Sequence, residues 1–414
     1  MTDTDNTQGS EIRKSNKLDD VLYDIRGPIL KKANEIEASG REVIKLNIGN
    51  PAPFGFNAPD HILSEVANNI HHSQGYSDSK GLITAREAVV EYYTELGVMS
   101  VNTEDIYIGN GVSELVVLAL QGLINNGDEV LIPSPDFPLW TAATSLCGGR
   151  PIHYLCDEQT SWQPNIEDIK KKISNNTKAL VLINPNNPTG SVYSKATIEE
   201  LIDIARVNNL VLFADEIYDK IIFDDNRYIP TASLADDLLI ITFSGLSKSY
   251  RVAGFRTGWM VISGKKSKAG DYIEGLEILS SMRLCSNVPA QHAIAVALRG
   301  KQDYRLLTEP TGRLYEQREL AYELINKIEG ITCVKPMGGL YLFPRLDCDR
   351  FNIQNDEQFV LDLLEAQQVL VVQGSGFNWA SPDHFRLVFL PEISLLREAI
   401  GRIATFLSEY QQRS

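Results

Sequence analysis

The sequence predicts an α/β fold with a large domain, in which helices cover both faces of a mostly parallel sheet, and a smaller α+β domain. Short runs rich in Val, Ile and Leu alternate with longer helical patterns through the middle of the chain. These runs lack polar alternation, as expected for strands covered on both faces. The last third of the chain changes to a long helical pattern followed by short strands. The alternation favours a parallel sheet, and the change of pattern favours a second unit.

Six apolar runs are predicted to form the strands of the large sheet. They are Ile106–Ile108, Glu129–Pro133, Ala179–Ile183, Leu210–Ala214, Leu238–Phe243 and Trp259–Ile262. The helical patterns between them are Ser113–Leu123, Lys195–Val207 and Gly270–Leu284. In an open parallel sheet, ligands bind beyond the carboxyl ends of the strands. The polar residues that follow each strand are therefore the first candidates for function.

The smaller domain is predicted from the C-terminal third of the chain. Its elements are a helix over Gly312–Ile328, short strands at Thr332–Lys335, Leu340–Pro344, Val369–Val372 and Phe385–Phe389, and a final amphipathic stretch over Ile393–Tyr410. The apolar segment Val43–Ile48 has no neighbour in sequence to pair with, so we expect it to pack with this domain. The predicted division is a polar tail at 1–20, an arm and part of the small domain at 21–57, the large ligand-binding domain at 58–300, and the small domain at 301–414.

Composition indicates an ordinary globular protein and argues against several classes of partner. The chain has 414 residues, of which 43% are hydrophobic, and its net charge is −15. This acidic balance disfavours nucleic acid and anionic membranes as partners, since both require basic patches. The five cysteines are scattered without a CxxC spacing, which favours reduced thiols in a cytoplasmic protein over a zinc site or a disulfide framework. No paired-histidine metal motif occurs.

The segment SGLSKSYRVAGFRTG, residues 244–258, carries the clearest chemical signal. Lys248 follows a buried strand, where a lysine is readily deprotonated and its neutral amine adds to an aldehyde. Arg256 lies between Gly254 and Gly258. The glycines permit close approach of the backbone, and the arginine offers a fork of donors suited to phosphate. Pyridoxal phosphate carries both an aldehyde and a phosphate, so our hypothesis is that this segment binds it.

Three other strand ends carry polar residues that suit the same ligand. Asp215, in ADEIY, is placed to keep a pyridine nitrogen protonated. Asn187, in NPNNPTG, and Tyr218 suit the ring hydroxyl, and the glycine turn before Ser113 presents backbone amides and a helix N-terminus to phosphate. Taken singly, each has an ordinary explanation, namely a helix cap, turn chemistry or a surface loop.

The motifs NPNNPTG, ADEIY, SGLSK and GFRTG occur in the order and spacing of fold-type-I pyridoxal-phosphate aminotransferases of classes I and II. The resemblance extends from about Asp24 to the C-terminus. Within that superfamily, YDIRGP, LNIGNPAPFGF and SMRLCSNVPAQHA resemble the bacterial alanine aminotransferases, which pair glutamate with pyruvate.

The resemblance implies a set of cofactor-binding residues in a large pyridoxal-phosphate-binding domain. Lys248 corresponds to the lysine that bonds to the cofactor and moves the substrate α-proton. Asp215 corresponds to the partner of the ring nitrogen, and Phe137 to the aromatic residue that stacks on the ring. The remaining implied cofactor residues are Gly111, Val112, Ser113, Asn187, Tyr218, Ser247, Arg256 and, from the neighbouring subunit of a homodimer, Tyr76.

The resemblance also implies how substrates bind. Arg386 corresponds to the clamp for the α-carboxylate, and Gly49, with Asn187, to the wall that closes over the substrate. Met282 stands where aspartate aminotransferases have an intersubunit arginine, and the offset of Arg283 by one residue turns its side chain by about 100° on a helix. Arg26, with Tyr23 nearby, is therefore our candidate for the distal carboxylate of glutamate.

The implied activity is reversible, ping-pong transamination of L-alanine and 2-oxoglutarate to pyruvate and L-glutamate, in support of alanine biosynthesis. Two alternatives stay open on the same fold. One is an aminotransferase of aromatic, branched-chain or aspartate specificity, and the other is a C–S lyase. A nucleotide-dependent enzyme is disfavoured, because no GxGxxG follows a strand.

Overall fold

The computed structural model describes residues 12–19, 21, 27–300 and 304–413. Within these residues the strands are β1 Ile44–Lys45, β2 Ile106–Gly109, β3 Glu129–Ser134, β4 Arg150–Asp157, β5 Gln163–Pro164, β6 Thr177–Ile183, β7 Val211–Asp215, β8 Leu239–Gly245, β9 Gly258–Gly264, β10 Ile331–Thr332, β11 Tyr341–Leu342, β12 Arg345–Leu346, β13 Val369–Leu370, β14 Val372–Gln373 and β15 Phe385–Val388. Lys248 follows β8, Asp215 ends β7 and Arg386 lies in β15.

The α-helices of the same described residues flank the strands. They are α1 Pro28–Ala38, α2 Asp60–Asn69, α3 Ile83–Glu95, α4 Val112–Leu123, α5 Leu139–Leu146, α6 Ile166–Lys172, α7 Lys195–Val207, α8 Gly270–Met282, α9 Val288–Arg299, α10 Arg305–Thr308, α11 Arg313–Asn326, α12 Cys348–Phe351, α13 Asp356–Gln367 and α14 Ile393–Leu407. None of them is both long enough and apolar enough to cross a bilayer.

The large sheet has the order β2-β9-β8-β7-β6-β3-β4-β5. The strands from β8 through β7, β6 and β3 to β4 are mutually parallel, whereas β9 runs antiparallel to both β8 and β2. The prediction of an α/β fold with a mostly parallel sheet is confirmed. Parallel strands have their carboxyl ends at one edge, so their polar termini meet there.

Helices on both faces explain why the strands lack polar alternation. Successive side chains of a strand point to opposite faces. In β6, Leu180 and Leu182 pack into one apolar cluster, whereas Ala179 and Val181 pack into another on the opposite face. Both faces are therefore covered, and an alternating polar residue would be buried without a partner.

Strand β4 was not predicted, and the reason lies in its position. It pairs with β3 on one side and with only two residues of β5 on the other, near the edge of the sheet. Several of its side chains are partly exposed, including that of Arg150, and its sequence includes Pro151 and His153. A strand that is only partly buried needs no continuous apolar run, so the pattern that located the central strands missed it.

The C-terminal third forms small sheets around a second apolar cluster. Strands β11, β15 and β14 make one sheet, and β10 pairs with β12. Strand β1, within the segment 43–48, pairs in parallel with β13, with Ile44 opposite Val369. The N-terminal segment thus packs with the C-terminal elements through backbone hydrogen bonds as well as through apolar side chains. The exact domain boundaries stay a prediction.

Candidate active site

A cavity of about 570 Å³ lies at the carboxyl ends of the parallel strands, between the large sheet and the C-terminal elements. Its volume is in the range usual for small-molecule and cofactor sites. The predicted site residues that line it are Gly49, Val112, Ser113, Phe137, Asn187, Asp215, Tyr218, Ser247, Lys248, Arg256 and Arg386. The structure therefore brings together residues that are up to 337 positions apart in the sequence, from Gly49 to Arg386.

Lys248 projects into the cavity from the loop that follows β8. Its Nζ donates a hydrogen bond to the backbone oxygen of Gly49 at 2.7 Å, and no described carboxylate forms an ion pair with it. The loop is held close to β9, because a Cβ atom on Gly245 would stand 2.8 Å from the oxygen of Thr257. The amine is thus held by a neutral carbonyl, which leaves it free to exchange partners when a ligand enters.

Asp215 is the last residue of β7 and is only 4% exposed. Its carboxylate accepts hydrogen bonds from Trp140 Nε1 at 3.0 Å and from the backbone N–H of Ile217 at 3.4 Å. Burial raises the pKa of Asp215 to about 6, because loss of water outweighs these hydrogen bonds and the charge of Lys248. A cation placed against this carboxylate, such as a protonated ring nitrogen, would reverse that shift.

Arg256 lies against the N-terminus of α4, at the residues predicted to hold a phosphate. Gly111 precedes the helix with φ of 84°, and a Cβ atom there would stand 2.4 Å from Arg256 Nη2. The guanidinium donates to the backbone oxygens of Ala253 at 3.0 Å and Asn110 at 3.4 Å. The guanidinium therefore lies beside the backbone amides at the N-terminus of α4. Together, the guanidinium and these amides suit a phosphate.

Arg386, in β15, is a buried cation that faces the cavity without a carboxylate partner among the described residues. It is 2% exposed. Its Nη1 donates to Asn187 Oδ1 at 2.9 Å, its Nη2 donates to the oxygen of Asn47, and its Nε is buried with no hydrogen-bond partner. Desolvation lowers the pKa of Arg386 from its usual value. A bound carboxylate would compensate this buried charge.

Three residues of the site were not identified from the sequence. Tyr341 lines the cavity with its hydroxyl 2.7 Å from that of Tyr218, and Asn47 and Trp140 hold Arg386 and Asp215. The sequence did contain one clue to Tyr341, namely the pair Gly338 and Gly339 shortly before it. Paired glycines often mark a place where the backbone approaches another group closely. Asn47 lies in the motif LNIGNPAPFGF, from which only Gly49 was assigned a role, and Trp140 lies outside the motifs that carry the resemblance.

Tyr76 and Arg283 do not line this cavity within the single chain. Tyr76 is 82% exposed and does not line it. Tyr23 and Arg26 lie outside the described residues. Arg283 pairs with Glu114 at 2.5 Å and donates to the backbone oxygens of Ser79 and Ile108, so its guanidinium already has partners within the chain.

Comparison with known proteins identifies the family of the chain. A sequence profile described as aminotransferase class I and II matches residues 41–403. The glutamate-pyruvate aminotransferase AlaA of Haemophilus influenzae is 59% identical over 399 residues, covering 96% of this chain and 99% of that protein. An alanine aminotransferase of Mycobacterium tuberculosis is 56% identical over 400 residues, covering 96% of this chain and 93% of that protein.

A solved structure of an aminotransferase from Escherichia coli superposes with a TM-score of 0.97 at 58% identity, covering 98% of this chain and all of that one. The profile match spans most of the sequence, and the relatives are similar over nearly their whole lengths. The chain therefore belongs to the class I and II aminotransferases.

Proposed function

We propose that this protein transfers an amino group reversibly between L-alanine and 2-oxoglutarate, giving pyruvate and L-glutamate, with pyridoxal phosphate in the cavity. The observation that carries the proposal is the convergence of Lys248, Asp215 and Arg386 on one cavity. The names of the relatives from H. influenzae and M. tuberculosis support the choice of alanine, glutamate and pyruvate.

The cavity fits the cofactor at each of its chemical groups. Asp215 suits the ring nitrogen, since a buried carboxylate with a raised pKa gains most from a cationic partner. Gly111, Val112, Ser113 and Arg256 suit the phosphate, and Ser247 lines the cavity beside Lys248. Phe137 suits the face of the ring, and Asn187 and Tyr218 suit the ring oxygen.

When bound, pyridoxal phosphate supplies an aldehyde that bonds to amines and a ring that withdraws electrons from the substrate α-carbon. Arg386 holds the substrate α-carboxylate in a bidentate pair and so orients the α-hydrogen. The Lys248 amine donates a hydrogen bond to the Gly49 carbonyl. In the reaction this amine would take the α-proton from the substrate and deliver it to the carbon that was the aldehyde carbon of the cofactor. Asp215 would hold the ring nitrogen of the bound cofactor in its protonated form.

We also propose that the protein is a cytoplasmic homodimer and that each active site contains residues of both subunits. Tyr76, Met282 and Leu284 are 82%, 75% and 51% exposed, as expected of side chains that a second subunit covers. All five cysteines are unpaired thiols, a state that reducing compartments maintain.

The proposal is tested by following the visible absorbance of the purified holoenzyme. L-Alanine should abolish the absorbance of the lysine-bound cofactor and release one equivalent of pyruvate per site, and 2-oxoglutarate should then restore the absorbance and yield L-glutamate. The absence of a spectral change with every amino acid tested would contradict the proposal. Turnover of aromatic or branched-chain amino acids in place of alanine, or release of a thiol from cystathionine without an oxo acid, would favour the alternatives.

A further inference from the structure

Tyr341, in β11, contacts three of the residues that form the cavity. Its hydroxyl lies 2.7 Å from the hydroxyl of Tyr218, and its ring centroid lies 4.3 Å from the guanidinium carbon of Arg386. A Cβ atom on Gly49 would stand 2.1 Å from the same hydroxyl, so the backbone of that segment passes directly against it. The side chain is 2% exposed and lines the cavity.

The direction of the hydrogen bond between the two tyrosines follows from counting protons. Each hydroxyl carries one proton and can donate one hydrogen bond. Burial raises the pKa of Tyr218 well above its usual value, so this phenol keeps its proton. If Tyr218 donates that proton to the ring oxygen of the cofactor, the bond between the tyrosines must be donated by Tyr341.

We propose that Tyr341 is a positioning residue that strengthens the hydrogen bond from Tyr218 to the ring oxygen of the cofactor. The inference rests on the proposed function, because it requires that cofactor in the cavity. A hydroxyl that accepts one hydrogen bond becomes a better donor in the next. The paired tyrosines thus stabilise negative charge on the ring oxygen, since a hydrogen bond to the charged form favours that form.

The charge on the ring oxygen in turn affects the lysine nitrogen bonded to the cofactor. That nitrogen shares its proton with the neighbouring ring oxygen, and it holds the proton less tightly when the tyrosines take part of the oxygen's charge. Loss of the Tyr341 hydroxyl should therefore raise the pH at which the nitrogen releases its proton. The visible absorbance of the resting holoenzyme changes at that pH, so the effect is measurable without turnover.

The aromatic ring and the hydroxyl of Tyr341 have separable roles. The ring lies against Arg386, which is also 4.4 Å from the ring centroid of Phe377. A Tyr341→Phe variant keeps the ring and removes only the donor. A purely structural role would lower the melting temperature or raise KM for alanine, whereas the proposed role moves the spectroscopic midpoint.

The experiment is a pH titration of the visible absorbance of resting holoenzymes. Tyr341→Phe should raise the midpoint by about 0.5 pH unit relative to the wild type. In a Tyr218→Phe background the same substitution should cause no further shift, because the receiving hydroxyl is absent. Tyr272→Phe is the matched control, since its hydroxyl donates to the oxygen of Ala119 at 2.9 Å and does not line the cavity. Its midpoint should equal that of the wild type.

Two results would overturn the inference while leaving the proposed function intact. One is an unchanged midpoint in Tyr341→Phe, and the other is an equal shift with and without the Tyr218 hydroxyl. A reconstituted wild type without any pH-dependent visible band would overturn the proposed function and the inference together. Tyr341→Met, a second variant without the hydroxyl, should shift the midpoint in the same direction, and a failure to do so would also count against the inference.

Discussion

At the scale of single residues, the cavity contains charged groups whose natural partners are not part of the chain. Arg386 is buried and forms no ion pair with a described carboxylate. Asp215 is also buried, and its carboxylate accepts hydrogen bonds from two neutral donors. Such charges destabilise a folded protein unless a partner compensates them. Two ligands, namely a substrate carboxylate and a protonated ring, would compensate these charges and so account for their presence in one cavity.

Replacing Asp215 by Asn should stabilise the cofactor-free protein at alkaline pH. The pKa of Asp215 is raised to about 6 in the folded state. Below the unfolded pKa of about 4 the group is protonated in both states and has no effect on stability. As the pH rises from 4 to 6, burial of the carboxylate increasingly destabilises the fold. Above pH 6, Asp215→Asn should therefore gain on the order of 2–3 kcal/mol in free energy of unfolding.

Urea denaturation of the cofactor-free proteins at pH 4.5 and pH 8 measures this difference. The gain should appear at pH 8, shrink at pH 4.5 and be absent in the exposed control Asp271→Asn. The same Asp215→Asn variant should bind pyridoxal phosphate more weakly and lose about 100-fold or more in kcat. A stability difference independent of pH would show that the carboxylate is not the destabilising group.

Replacing Arg386 by Lys should lower kcat/KM for alanine by about 10- to 100-fold, because one ammonium cannot replace the two parallel hydrogen bonds of a guanidinium. Steady-state kinetics with alanine as the varied substrate measure the loss. Arg345→Lys serves as the control, since Arg345 is half-exposed, pairs with Asp383 and lies outside the cavity. Equal kcat/KM values in the two variants would remove Arg386 from the carboxylate site.

At the scale of elements, helix α4 and the loop after β8 were recognised because their sequences are locally distinctive. Helix α7 has the bounds expected from periodicity, Lys195–Val207, and the strand before Lys248 lies within one or two residues of its predicted ends. Strand β4 escaped prediction because several of its side chains are exposed or partly exposed near the edge of the sheet, which relaxes the requirement for apolar residues. Pattern analysis thus finds elements whose surroundings are uniformly apolar and misses those with mixed surroundings.

Gly111, which precedes α4, and Gly127, which follows it, provide a matched pair of glycine substitutions. Gly111 and Gly127 both have positive φ, so alanine strains the backbone at either position by about 1 kcal/mol or more. Only at Gly111 would the new Cβ atom meet Arg256, since a Cβ atom on Gly127 would meet no other atom within 4 Å. Gly111→Ala should therefore raise the Kd for pyridoxal phosphate at least about tenfold, whereas Gly127→Ala should leave it unchanged. Equal affinities, measured by fluorescence titration, would exclude the N-terminus of α4 as the phosphate site.

The N-terminal arm is the element proposed to select the second substrate. Arg283 is committed to Glu114, which leaves Arg26 as our candidate for the distal carboxylate of glutamate. Arg26→Ala should lower kcat/KM for glutamate about tenfold or more and change that for alanine little, since alanine has no distal carboxylate. Equal losses with both substrates would rule out this role, and Arg41→Ala, at an exposed site, is the control.

At the scale of the whole molecule, the proposal of shared sites predicts complementation between two defective chains. Lys248→Ala lacks the reactive amine, and Tyr76→Ala lacks the side chain proposed to reach the partner's phosphate. Each homodimer should be impaired. Random mixing should produce hybrids with one complete site each, which restores about a quarter of wild-type activity. Activity that stays at the sum of the separate variants, in a mixture refolded together, would exclude shared sites.

The sequence by itself determined the parallel sheet and the polar residues at its carboxyl edge, because strand burial and glycine-rich turns leave local patterns. Lys248, Asp215 and Asn187 follow directly from that rule. The tertiary structure decided which distant side chains complete the site. Tyr218 and Tyr341 meet across 123 residues, and Trp140 and Asp215 across 75. Periodicity reports whether a side chain is buried, whereas its partner depends on how remote elements pack, and that information is absent from any local stretch of sequence.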